Sequence, residues 1–166
     1  MTMLSGARKG VVGAVIFCCV AVSTASAEAR FDWPLTPLPR VERAFDKPAQ
    51  NWLPGHRGVD LGGSAGQSVL AAGDGIVAFA GVVAGKPTVS IDHDGGLRTT
   101  YEPVAAEIRA GERIATGAVI GTLEPGHDGC VVAACLHWGL RRGREYLDPL
   151  GLVRSRPLRL KPLTGG

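Results

Sequence analysis

The sequence Gly55-His56-Arg57-Gly58-Val59-Asp60-Leu61 places an imidazole and a carboxylate four residues apart, with a glycine between them. Glycine disfavours a helix, so we expect Asp60 to lie in a short strand. Further along the chain, Cys135-Leu136-His137-Trp138-Gly139-Leu140 places another histidine in a strand-like run. The residues His56, Asp60 and His137 form a suitable set of three zinc ligands, which leaves a fourth position for water.

Short runs of apolar and β-branched residues dominate the chain between these two stretches. They lie at 68–72, 75–80, 88–93, 97–101, 118–123 and 136–140. Turn-forming sequences at 73–75, 85–87 and 92–96 separate several of them and predict hairpins. We therefore expect an all-β domain of short antiparallel strands, arranged as a sandwich or a folded sheet. The segment 104–108 is interpreted as a short helix or turn, and His93, in a hairpin turn, is expected to face solvent.

The first 27 residues have the pattern of a secretory signal peptide. They combine a basic start, a short apolar run and an Ala-Ser-Ala cleavage sequence at 25–27. The apolar run is shorter than the roughly 20 residues that a membrane span needs. We therefore expect a secreted or cell-envelope protein with no stable membrane span after cleavage.

The segments that flank the central region at 55–150 are rich in proline or in basic residues. Residues 28–54 are proline-rich, which predicts an irregular lead-in. Four aromatic residues are expected to pack this lead-in against the domain: Phe31, Trp33, Phe45 and Trp52. Residues 151–166 carry several basic residues, two prolines and two terminal glycines, so we expect a flexible tail.

The charge of the chain argues against a nucleic-acid partner. The 166 residues include 18 basic and 15 acidic ones, for a formal net charge of +3. Removal of Arg8 and Lys9 with the signal peptide leaves 16 basic residues against 15 acidic ones. A nearly neutral chain lacks the basic surface of a nucleic-acid-binding protein. The length fits one domain, and we expect a monomer.

Five stretches of this chain, in the same order, resemble the lysostaphin/LytM-type zinc metallopeptidases. They are HRGVDL at 56–61, VLAAGDGIV at 69–77, GLRTTY at 96–101, a glycine-bounded strand at 117–121 and LHWGL at 136–140. The resemblance covers about residues 31–150. It implies a β-sheet core with a substrate groove, one zinc ion and cleavage of peptide bonds in peptidoglycan. By position, His56, Asp60 and His137 match the three zinc ligands of the family.

The chain departs from the family at both positions where the family carries an acid/base histidine. Cys135 replaces the first histidine of the family's His-x-His sequence, and Pro103 replaces the histidine of its Tyr-x-His-Leu sequence. The resemblance therefore implies retained metal binding with weakened hydrolysis. The candidates to replace the lost histidines are Glu102, Glu124, Asp128 and, first among them, His127. Each is interpreted primarily as an ordinary exposed loop residue.

The two cysteines that remain after signal removal, Cys130 and Cys135, have two alternative roles. An exported protein meets an oxidising environment, which predicts a disulfide between them. Alternatively, a Cys135 thiolate serves as fourth ligand of a closed, structural zinc site. Three functions follow: a secreted zinc endopeptidase for peptidoglycan peptides, an inactive domain that binds peptidoglycan or regulates another cell-wall hydrolase, and a structural zinc domain.

Overall fold

Two antiparallel sheets make up the domain in the computed structural model, which describes residues 31–127 and 129–154. The strands are β1 Val41–Arg43, β2 Gly58–Gly63, β3 Ser68–Leu70, β4 Gly75–Val83, β5 Lys86–Asp92, β6 Leu97–Glu102, β7 Val104–Ala106, β8 Arg113–Ile114, β9 Val119–Leu123, β10 Ala134–Arg142 and β11 Glu145–Leu147. A 3-10 turn at Asp94–Gly96 precedes β6, and the helix α1 spans Leu150–Arg154. The predicted all-β fold of antiparallel strands is confirmed.

The larger sheet is built around β10, which has a partner on each side. Its order is β1-β2-β10-β6-β5-β4-β8, and β11 also pairs with β10. The register of β10 places His137 opposite Asp60 of β2 and opposite Glu102 of β6. The smaller sheet has the order β3-β9-β7. The sequence-distant strands β2 and β10 are thereby hydrogen-bonded neighbours.

Side chains alternate along β2 and β10, so that one face of these strands packs in the core and the other face carries polar groups. Val59 and Leu61 of β2 are fully buried among other apolar side chains, as are Leu136 and Trp138 of β10. Side chains at alternate positions of a strand point to opposite faces, so Asp60 lies on the face away from this cluster. Each large buried side chain contributes about 1.5–3 kcal/mol of burial free energy, which fixes the face that β10 presents.

The chain passes from one sheet to the other between β3 and β4, where the sequence predicted a hairpin. β3 pairs with β9, whereas β4 pairs with β5 and β8. The carboxylate of Asp74 in this connection accepts hydrogen bonds from the backbone and side chain of Thr116, before β9. The predicted hairpin at 73–75 is therefore wrong, whereas those at 85–87 and 92–96 are present as β4–β5 and β5–β6.

The segment after Pro103 is a strand, so its interpretation as a helix or turn is wrong. β7 pairs with β9 in the smaller sheet, with Val104 opposite Leu123. This pairing buries the Val104 and Leu123 side chains in the core. A run of three residues is too short to show a period, and the non-local partner decides its conformation.

His93 is buried, which corrects the expectation that it faces solvent. Its side chain is 7% exposed, with Nδ1 2.8 Å from the Asp74 carbonyl oxygen and Nε2 2.7 Å from the Thr99 hydroxyl. Phe31 packs edge-on against the ring. Burial lowers the pKa of His93 below its ordinary value, although the hydrogen bond to Asp74 opposes that shift.

The lead-in segment contributes both a strand and a core residue. β1 forms the edge of the larger sheet beside β2, and Leu35 is 1% exposed in the core. The aromatic rings of Phe31, Trp33 and Phe45 pack against the same core. Trp52 is 78% exposed, so its predicted anchoring role is wrong.

The C-terminal segment begins with α1 rather than with a tail. Leu150 is buried, and Leu152 and Val153 pack against the core. The tail predicted for 151–166 can therefore begin no earlier than residue 155. Residues 155–166 and the signal peptide predicted at 1–27 lie outside the described residues. In the described part of the chain, no helix has the length and apolarity needed to cross a membrane.

Candidate functional site

The register of β2 against β10 brings the three residues selected from the sequence together. His56 precedes β2 and forms an isolated β-bridge with Asp46, which holds the backbone beside the sheet. Asp60 lies in β2, and His137 lies opposite it in β10. Opposed residues of an antiparallel pair share one face, so both side chains leave the sheet on the same side.

The donor atoms of these residues converge on one oxygen of Asp60. Oδ1 lies 3.0 Å from His56 Nε2 and 2.9 Å from His137 Nδ1. The two imidazole nitrogens are 3.1 Å apart. A tetrahedral zinc ion with bonds of about 2.0–2.2 Å separates its ligand atoms by about 3.4 Å. The cluster is therefore compact enough to hold one such ion.

The tautomer of His56 leaves its inward nitrogen able to bind a metal ion. Nδ1 lies 2.7 Å from the carbonyl oxygen of Ala44, and a carbonyl can only accept, so Nδ1 carries the proton. In a neutral ring Nε2 then bears a lone pair, which faces the Asp60 carboxylate and the His137 ring. Two lone pairs at this distance repel each other unless a proton or a metal ion lies between them. The arrangement fits a bound metal ion, with Ala44 orienting the ligand.

Asp60 is a buried carboxylate without enough protein partners for both of its oxygens. The side chain is 1% exposed, and Oδ2 is buried without a hydrogen-bond partner. Burial alone would raise its pKa, but hydrogen bonds from His127 and His137, and the charges of His127 and His56 when those rings are protonated, hold the pKa well below its usual range. Asp60 is therefore ionised, as a metal ligand must be.

His127 also belongs to this cluster, which corrects its interpretation as an ordinary exposed loop residue. Its Nε2 lies 3.0 Å from Asp60 Oδ1, and its side chain is 9% exposed. The ring stacks on that of His137 with the two planes at 28°. Ligand atoms of His56, Asp60, His127 and His137 all lie within 4.8 Å of one another. The Cys130–Cys135 bridge ties the loop of His127 to β10, so the two cysteines are a sequence feature from which this convergence could have been inferred.

The two positions where the family carries acid/base histidines hold groups that transfer no protons. Pro103 is buried, and its carbonyl oxygen accepts a hydrogen bond from the Glu124 backbone. Cys135 is fully buried and disulfide-bonded to Cys130, as the first of the two cysteine alternatives predicted. A disulfide sulfur cannot be a thiolate ligand. The structure therefore contradicts the closed zinc site with Cys135 as fourth ligand.

The remaining candidates for replacing the lost histidines differ in position. Glu102 lines the groove beside the histidines, where Lys86 pairs with it at 3.5 Å and the Thr88 hydroxyl donates to it. Glu124 is exposed and is not among the residues that line the groove. Asp128 lies outside the described residues.

The His137 ring lies close to Gly58 of β2. A β-carbon built there would lie 2.5 Å from the Trp138 carbonyl oxygen and 2.8 Å from His137 Nε2. Real β-carbons do not approach other atoms so closely, so the imidazole can lie this close to β2 only because residue 58 is glycine. The glycine in the HRGVDL sequence thus leaves room for the His137 ring beside β2.

An open groove leads to the histidine cluster. It has a volume of about 430 Å³ and is lined by His56, His127 and His137 together with Glu102 and Tyr146. Four basic residues complete much of its wall: Arg43, Arg57, Lys86 and Arg141. A metal ion held by the histidine cluster would therefore be accessible to a molecule bound in the groove.

Comparison with known proteins places the chain in a family. Residues 54–149 match the model of peptidase family M23. Uncharacterized proteins of Mycobacterium tuberculosis and Mycobacterium bovis are 53% identical over 157 residues, which cover 90% of this chain and 63% of those proteins. The chain thus spans less than two thirds of the length of these relatives.

Two solved structures share the fold. Csd3 of Helicobacter pylori superimposes with a TM-score of 0.61 and 26% identity, over 76% of this chain and 35% of that one. Lysostaphin superimposes with a TM-score of 0.56 and 19% identity, over 77% of this chain and 57% of that one. Since the family model covers more than half of the sequence, and the sheet brings together the histidines and aspartate that the resemblance selected, the chain belongs to peptidase family M23 and carries a LytM-type metallopeptidase domain.

Proposed function

We propose that this chain is an exported zinc metallopeptidase that cleaves peptide bonds of peptidoglycan, at a lower rate than family members with both acid/base histidines. The observation that carries the proposal is the convergence of His56, Asp60 and His137 in an open groove. Two imidazoles and a carboxylate are a ligand set typical of catalytic zinc. The compact spacing of these atoms and the unpartnered Oδ2 of Asp60 support metal binding.

Different parts of the chain would bind the metal ion, orient its ligands and bind the substrate. A zinc ion bound here supplies Lewis acidity, which polarises a scissile carbonyl and activates water. The Ala44 carbonyl fixes the His56 ring, and the β2–β10 ladder fixes Asp60 and His137. An extended substrate segment in the groove would pass between these ligands and the side chains of Glu102 and Tyr146.

The reduced rate follows from the two replaced histidines. A positioned acid or base contributes about 10²–10⁴ in rate, so loss of this help raises the barrier by roughly 3–5 kcal/mol. Pro103 has no side-chain proton to transfer, and Cys135 is locked in a disulfide. Glu102 is the acidic residue among those that line the groove, and its carboxylate oxygens are engaged by Lys86 and by the Thr88 hydroxyl.

The charge of the groove supports an acidic peptide as substrate. Arg43, Arg57, Lys86 and Arg141 line it, against Glu102 as the acidic counterpart. Arg57 is held in place by the carbonyl oxygens of Asn51 and Leu53, at 2.6 and 3.0 Å. Peptidoglycan stem peptides carry free carboxylates, which basic side chains at the rim of a groove attract.

A second candidate is an inactive domain that binds peptidoglycan or regulates another cell-wall hydrolase. The replacement of both acid/base histidines favours it, because a binding groove needs no proton transfer. The two functions are separated by incubating the purified protein with peptidoglycan and measuring newly released amino groups, with zinc and with a chelator. Slow, zinc-dependent release that is absent in His137→Ala supports the peptidase. Co-sedimentation with peptidoglycan without any release supports the binding domain.

Export is part of the proposal and has its own test. The basic start, the short apolar run and the Ala-Ser-Ala sequence at 25–27 support cleavage after Ala27. N-terminal sequencing of the exported protein should therefore begin at Glu28. An intact N-terminus in the membrane fraction would contradict export as a cleaved protein.

A further inference from the structure

We infer that His127 is the fourth ligand of the zinc ion, so that the site is closed by protein in this conformation. This inference rests on the proposed metal site and adds a ligand that the family pattern does not supply. It concerns the loop between β9 and β10, whose histidine enters the cluster of His56, Asp60 and His137.

The position of the imidazole matches that of a ligand. His127 Nε2 lies 3.0 Å from Asp60 Oδ1, which equals the His56 distance and is close to the 2.9 Å of His137. A general base that acts on water beside the metal needs room for that water between itself and the ligands. No such room separates His127 from Asp60, because the two atoms are already in contact.

The environment of the His127 ring also fits a ligand better than a base. The side chain is 9% exposed, and its inward nitrogen meets the Asp60 carboxylate, whereas no hydrogen-bond partner orients its outer nitrogen Nδ1. Burial of the ring nitrogen and of the carboxylate costs free energy, because both lose contact with water. A cation bound between them would compensate that cost. Stacking on His137 holds the plane of the ring in this orientation.

A covalent link ties the loop of His127 to the strand of His137. Cys130 is disulfide-bonded to Cys135, two residues before His137 in β10. The backbone N–H of Cys130 also donates to the His127 carbonyl oxygen at 3.3 Å. The disulfide thereby attaches the loop of His127 to β10, the strand that carries His137. This link reduces the entropy lost when all four residues bind one ion.

Three nitrogens and one oxygen fill the four positions of a tetrahedral zinc ion, which leaves none for water. The sequence pattern predicted an open fourth position instead. A closed site agrees with the slow hydrolysis proposed above, because water must then compete with His127 for the metal.

The test uses cobalt in place of zinc, because tetrahedral cobalt absorbs visible light and its spectrum changes when a new ligand binds. Azide is added to the cobalt forms of wild type, His127→Ala and Val131→Ala. Val131 is 79% exposed in the same loop and serves as the matched control. We expect azide to change the spectrum of His127→Ala alone, and free imidazole to restore the wild-type spectrum of that variant.

Zinc affinity is measured in parallel by competition with a chromophoric chelator. Mutation of residues that only orient a metal ligand lowers metal affinity about 10–100-fold. Loss of a ligand itself in His127→Ala should therefore lower zinc affinity at least about 100-fold. An azide-sensitive wild-type spectrum, or equal zinc affinity of wild type and His127→Ala, overturns the inference while leaving the three-ligand site intact. Failure of the wild type to bind either metal overturns the proposed function as well.

Discussion

Replacing Gly58 with alanine should weaken zinc binding although it removes no ligand. The added β-carbon would lie 2.5 Å from the Trp138 carbonyl oxygen and 2.8 Å from His137 Nε2. Non-bonded contacts of carbon are favourable from about 3.5 Å, so relief of the clash needs movements of about 0.7–1 Å. The Trp138 backbone lies in β10, which pairs with β2. Relief of the clash should therefore displace the His137 ring and also disturb the β2–β10 pairing that positions it.

The expected magnitude follows from two separate costs. Overpacking of this kind reduces the free energy of unfolding by about 1–3 kcal/mol. Displacement of a ligand without its removal resembles loss of an orienting neighbour, which lowers metal affinity about 10–100-fold. We therefore expect Gly58→Ala to fold, and to bind zinc about 10–100-fold more weakly than wild type in a chelator competition. Circular dichroism checks that the sheet is retained.

Gly139→Ala is the matched control, because Gly139 is the partner of Gly58 across the two strands. A β-carbon at position 139 meets the Arg57 carbonyl oxygen at 3.5 Å and His137 Nε2 at 3.8 Å, which are ordinary contacts. This variant should bind zinc nearly as wild type does. If Gly58→Ala binds zinc as tightly as Gly139→Ala, the His137 ring does not depend on the missing side chain and the reasoning is refuted.

Three further predictions concern stability. Zinc at 100 times its dissociation constant should stabilise wild type by about 2.7 kcal/mol; thermal unfolding with and without chelator measures this, and His137→Ala should lose most of the difference. The pKa of His93 is lowered in the fold, so the stability that the buried neutral ring contributes is fully present above the unfolded value of 6.5 and is lost as the pH falls below it. Between pH 8 and pH 5, the free energy of unfolding should therefore fall more steeply for wild type than for His93→Gln. Parallel curves for the two proteins would contradict this. Leu35 is 1% exposed, so Leu35→Ala should cost about 2–5 kcal/mol in urea denaturation, whereas no loss would mean that the lead-in is dispensable.

The local sequence determined most of the strands and the residues selected for the site. Alternation in the β2 and β10 sequences, with Val59 and Leu136 on one face, follows from side-chain geometry within each strand. The hairpins at 85–87 and 92–96 needed only their own turn residues. The sequence also identifies His56, Asp60 and His137 as candidate ligands, and their binding of zinc stays a prediction.

The tertiary structure alone decided which separate segments meet. β3 and β7 belong to the smaller sheet because their partner is β9, and nothing in their own few residues specifies that partner. His93 is buried because Phe31, Asp74 and Thr99 surround it, and these contacts come from three separate segments. His127 reaches Asp60 through a loop whose path depends on the disulfide and on the strand beside it. Periodicity reports the face of one strand, whereas a cluster of donors depends on register and packing between distant segments.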